Sequence, residues 1–107
     1  MMANDAVRVE LPERACVVAL GHFRLDGSPL RPESRAAILR SAESAHGHVQ
    51  TVTCTRAEAE DLLDYFAQAI QVLSRVGDRR VRACLTARKK LAEAIRDLDP
   101  SRRAGSA

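Results

Sequence analysis

Residues 55–98 constrain this chain more than any other stretch, because apolar side chains recur there at steps of three and four on both sides of one glycine. Ahead of Gly77 the series is Ala59, Leu62, Phe66, Ala69, Leu73 and Val76, widened by Leu63 and Ile70. Behind it come Val81, Cys84, Leu91, Ile95 and Leu98, widened by Leu85 and Ala92. Such spacing lays one apolar stripe along a helix. Thr55-Arg56-Ala57-Glu58 fits a capping box, in which the Thr hydroxyl accepts the Glu58 amide and the Glu carboxylate reaches back. Glu58, Glu60, Asp61 and Asp64 crowd the first turns, where the positive end of the helix dipole favours them. Gly77 suits the C-terminal cap of the first helix, and Asp78 suits the N-cap of the next. The sequence therefore predicts a long antiparallel αα-hairpin with helices at 55–76 and 78–98.

The remainder is shorter-ranged. Val7-Arg8-Val9-Glu10-Leu11 alternates apolar and polar, the pattern of a half-buried strand, and Pro12 ends it. Residues 13–24 admit two readings. Their alanines favour a helix, whereas Val17-Val18 favour a strand that would close a β-hairpin over 7–23. Asp26-Gly27-Ser28-Pro29 is a turn, Pro32-Glu33 opens a helix to about Ala45, and His48–Cys54 is β-branched enough to be a strand. An internal echo tips 13–24 towards helix. Val9 to Phe23 resembles Val52 to Phe66 at an offset of 43, with Pro12 or Thr55 at a helix start, then Leu20 or Leu63, then Phe. A doubled strand-helix-helix unit would pair its two strands. The expected fold is α+β and predominantly helical: a small two-stranded element carrying the long hairpin.

Length and composition bound the function. A chain of 107 residues fits one domain over 1–107, with 1–5 and 100–107 as loose ends. Aromatics are 3%, so the core must be aliphatic, which suits helix packing better than a β-sandwich. Fifteen of the 17 basic residues are arginine, as a GC-rich bacterial genome would give. Cys16, Cys54 and Cys84 are odd in number and widely spaced, which reads as reduced thiols in a cytoplasmic protein. No apolar run approaches the roughly 20 residues of a membrane span, and the first residues lack the pattern of a signal peptide.

Four groups of side chains are candidates for function. On the 78–98 helix, Arg79, Arg82, Lys89 and Arg96 fall opposite the apolar stripe, a possible contact line for a nucleic-acid backbone to which Arg102 and Arg103 would add. A solvated face serves as well, with Lys90 folded back near Asp64. Arg88 sits where the stripe would carry leucine, so it either snorkels to Asp64 or Glu60 past Tyr65 and Phe66, or fixes register in a helical assembly. His46 and His48 flank Gly47 and would share one side of an extended segment, a weak metal pair that needs a third ligand such as Cys16, His22 or Cys54. Leu63, Phe66, Ile70, Leu85, Arg88 and Leu91 form a candidate interface, because a short chain has limited material to cover such long stripes.

No Gly-rich phosphate loop, GxSxG elbow or HExxH is present, and the carboxylates cluster where capping explains them. The expectation is a non-catalytic interaction or regulatory module without a cofactor, a homodimer or a small subunit of a larger complex. The alternatives are a sequence-independent nucleic-acid binder and, more remotely, a metal sensor.

Overall fold

A computed structural model of the chain describes residues 6–98. The expected loose ends, with Arg102 and Arg103, lie outside them. Strand β1 (Ala6–Pro12) leads into helix α1 (Glu13–Gly21), then helix α2 (Pro32–Ser41) with a 3-10 turn at Ala42–Ser44. Strand β2 (Val49–Thr55), helix α3 (Arg56–Arg75) and helix α4 (Val81–Asp97) follow. The fold is thus α+β, four helices on a two-stranded antiparallel sheet.

Alternation in β1 sends Val7, Val9 and Leu11 into the core and leaves Arg8 and Glu10 in solvent. Strand β2 does the same with Gln50, Val52 and Cys54. The register runs from Ala6↔Thr55 to Pro12↔Val49, centred on Val9↔Val52. The Thr51 backbone faces away from β1: its N–H donates to the Ser44 hydroxyl at 3.0 Å, and that hydroxyl donates to the Thr51 carbonyl at 3.1 Å. The 3-10 turn thereby covers the outer edge of β2.

Residues 13–21 are helical, so the β-hairpin over 7–23 is not formed. Strand β1 finds its partner in β2 instead, and Ala15, Cys16, Val18 and Ala19 are buried at helical spacing. The helix stops short of the expected residue 24 because His22 turns extended (φ −127°, ψ 164°). Helix α2 also ends early, at Ser41, whose hydroxyl donates to the Ile38 carbonyl at 2.6 Å and accepts from Gln50 Nε2 at 2.7 Å.

The capping box at Thr55 and Glu58 forms as the sequence predicts. At the far end of α3, Gly77 has φ +68°, the Gly77 amide donates to the Ser74 carbonyl, and the Asp78 amide donates to the Leu73 carbonyl. These two bonds make a Schellman stop, which needs a left-handed residue at Gly77. Asp78 does not cap α4, which begins three residues later than expected. Its carboxylate accepts from the Arg80 amide at 2.9 Å and the Arg80 guanidinium at 2.7 and 3.0 Å, closing a turn before the helix.

Helix α3 packs along α4, helix α4 on β1, and helix α2 on β2. The core is aliphatic apart from Tyr65 and Phe66, whose rings meet edge to face at 5.5 Å. The 43-residue echo has a structural counterpart. Strand β2 and helix α3 begin 43 positions after β1 and α1, and the register centres on the equivalent valines Val9 and Val52. Each half also crosses over, since α2 covers the second strand and α4 the first. The echo breaks at its last member: Phe66 is fully buried, whereas Phe23 lies beyond the end of α1.

Candidate interaction surface

The segment 22–31 between α1 and α2 is fastened to α3 by one arginine. Arg24 Nε donates to Asp64 Oδ2 at 3.0 Å, Nη1 to the Pro29 carbonyl at 2.7 Å, and Nη2 to Asp61 Oδ1 and the Asp61 carbonyl. Its guanidinium also lies over the Tyr65 ring, 5.8 Å from the centroid. The Arg24 and Asp61 side chains are each only 8% exposed. A charge this deeply withdrawn from water is tolerable only when paired and hydrogen-bonded. Asp61 also accepts the Arg31 amide at 3.2 Å, so a single carboxylate ties both ends of the segment. The Leu25 amide donates to Gln68 Oε1 at 3.0 Å.

Tyr65 completes the attachment. Its hydroxyl lies 2.7 Å from the Val18 carbonyl and 2.9 Å from that of His22. Burial pushes the phenol up to about 12, so it remains a donor at neutral pH. Within the segment, Asp26 Oδ1 accepts from the Ser28 amide and hydroxyl, and Gly27 takes φ +84°.

This clamp holds apolar side chains outward. Phe23 is 61% exposed although the side chain of its neighbour Arg24 is only 8% exposed, and Leu25 is exposed beside it. Val72 on α3 and Val76 at its C-cap stand four and eight residues beyond Gln68, the residue that holds Leu25, and Val76 is 73% exposed.

The expected interface is in large part the protein's own core. Phe66 and Leu91 are fully buried, and Leu63 and Ile70 pack against the core from its margin. The sheet, α1 and α2 supply their cover. Leu85 and Arg88 remain exposed. The buried line of α4 runs through Cys84, Ala87 and Leu91, one residue to the side of Arg88, which is exposed whereas Tyr65 and Phe66 are fully buried. Lys90 does not meet Asp64, which pairs with Arg24.

Arg79, Arg82, Lys89 and Arg96 are all exposed, and none forms an ion pair among the described residues. His46 and His48 do not share an extended segment. They belong to a two-residue turn, with His46 and Val49 bonded to each other and Gly47 and His48 at φ +59° and +73°. Glu13 Oε1 lies 4.0 Å from His48 Nδ1, but no group of three His, Cys, Asp or Glu residues that could hold a metal ion forms among the described residues.

The three cysteines are free, and burial pushes Cys16 up to about 12 and Cys54 and Cys84 up to about 11. No described helix is long and apolar enough to cross a membrane.

The clamp is not legible in the sequence because its partners stand far apart: Arg24 and Asp61 are separated by 37 residues, and the pattern around Arg24 reads only as a turn. Compared with known proteins, the chain matches no family model, no curated protein and no solved structure.

Proposed function

We propose that this protein is a non-catalytic interaction module, working as a homodimer or as a small subunit of a larger complex. In this reading α3 and α4 act as an antiparallel helical hairpin reversed at Gly77. The contact surface is the outer side of α3 with the clamped segment, and not the inward stripe that the sequence favours.

One observation carries the reading. Phe23 is held in solvent by neighbours that are themselves fixed, Arg24 on Asp61 and Leu25 on Gln68. Leaving a phenylalanine or leucine in water forgoes about 1.5–3 kcal/mol of burial each. An anchor already immobilised loses less entropy on binding than a mobile one. The interior offers little for catalysis: its thiols are pushed up by desolvation, and the Asp61 carboxylate is committed to Arg24 and the Arg31 amide. Three reduced thiols suit the cytoplasm, which is part of the proposal.

The test is sedimentation of the wild type and Phe23→Asp up to high concentration, with a photoreactive residue placed at 23 or at the exposed Thr53. Self-association abolished by Phe23→Asp supports the homodimer. Crosslinks formed in cells from position 23 and not from 53 support the subunit. A strict monomer that crosslinks equally from both positions overturns the reading.

The second reading is sequence-independent binding of nucleic acid along α4. It is favoured by the exposure of Arg82, Lys89 and Arg96 without ion-pair partners among the described residues. Failure to retard DNA or RNA at low salt, where backbone contacts are strongest, eliminates it.

A further inference from the structure

Where α1 meets the turn between α3 and α4, the surface sinks into a concavity of about 680 Å³. Its walls come from separate parts of the chain: Arg14 from α1, Ser74 and Gly77 from the end of α3, Arg79 from the turn, and Arg82 and Ala83 from the start of α4. All three arginines are exposed, and none pairs with a carboxylate among the described residues. Asp78 also lines the hollow, but Arg80 grips it through both carboxylate oxygens and holds its carboxyl down to about 2. Its charge is already answered, so the lining keeps a surplus of positive charge.

Three like-charged guanidiniums around one hollow repel one another, and none has an ion-pair partner among the described residues. The Val81 and Arg82 amides donate to the Asp78 and Arg79 carbonyls, while the Ala83 amide on the wall has no acceptor among the described residues. A helix start of this kind adds a fixed donor and the positive end of a dipole to the mobile arginine heads. The volume lies within the roughly 300–1,000 Å³ of small-molecule clefts. No aromatic side chain lines it, so the lining suits recognition of a charged end and not of a base or ring.

We propose that this concavity is a binding site for a small phosphate-bearing dianion, a phosphomonoester or a diphosphate, held by Arg14, Arg79 and Arg82. Planar guanidiniums match phosphate oxygens two at a time. The proposal is independent of the interaction reading, which uses Phe23 and the outer side of α3. It also differs from a nucleic-acid contact along α4. Arg14 stands on another helix, whereas Lys89 and Arg96 lie about two and four turns beyond Arg82.

Calorimetric titration of the full chain with inorganic pyrophosphate at low ionic strength tests it. Saturable one-to-one binding is expected, weakened about tenfold by Arg14→Gln or Arg82→Gln as one charge-assisted contact is lost. Lys89→Gln and Arg96→Gln should leave it unchanged. All four substitutions fall on exposed side chains, and circular dichroism verifies that each variant is folded. Absence of binding at about 10 mM pyrophosphate overturns the site, because a weaker affinity is no specific recognition. Equal weakening by all four substitutions overturns it too, since that is diffuse attraction to a basic surface. DNA binding that depends on Lys89 and Arg96, and that pyrophosphate does not displace, assigns the charge to a nucleic-acid backbone and likewise overturns it.

Discussion

Arg24 has five N–H donors, and an acceptor stands near each: Asp64, Pro29, Ser28, and the side chain and carbonyl of Asp61. Lysine offers one point charge on a flexible stem and cannot span that set. Arg24→Met leaves Asp61 withdrawn from water without its cation, which costs about 3–5 kcal/mol in comparable buried pairs. Arg24→Lys is expected to recover only part of this. Urea denaturation of the two variants checks the order, and a loss under about 1 kcal/mol for methionine would mean that the pair is solvated like a surface bridge. Loosening should also appear as faster amide exchange at Leu25 and Arg31, whose amides are held by Gln68 and Asp61.

Among elements, those that declare themselves locally are legible in the sequence. The capping box at Thr55, the glycine stop at Gly77 and the alternation of Val7 to Leu11 each follow from a few adjacent residues. Thr55→Ala should lower stability by about 1 kcal/mol by orphaning the Glu58 amide, and a thermal melt reads it. Helix starts decided by competing turns were less legible. Asp78 satisfies the rule for an N-cap, yet the Arg80 guanidinium claims its carboxylate and delays α4 to Val81. What the stripes pack against was least legible, because covering a helix is a long-range event. Phe66 and Leu91 look alike whether a partner or the chain's own sheet buries them, and nothing near Phe23 announces that Asp61 will hold its neighbour inward.

For the molecule as a whole, the buried thiols set a limit on alkaline stability. Each ionises at about 9 when freely solvated and only at about 11 or 12 in the fold. Between those values the unfolded chain holds fewer protons than the folded one. Stability is therefore intact below about pH 8.5 and falls from pH 9 to 11, by at most about 1.4 kcal/mol per pH unit for each thiol. Melting temperatures across that range check it, and replacing Cys16, Cys54 and Cys84 with alanine should flatten the slope from pH 9 to 10, above which Tyr65 contributes a fall of the same sign, while lowering the plateau. The crossed arrangement, with α2 on the strand of the second half and α4 on the strand of the first, has a consequence for the chain as a covalent object. Neither half encloses its own strand, so the peptide bond between Gly47 and His48 joins two parts that already complete each other. Peptides 1–47 and 48–107 should each be poorly structured alone and should reassemble when mixed, regaining the dichroism of the intact chain. If the mixture stays unstructured, the connection itself is what brings the halves together.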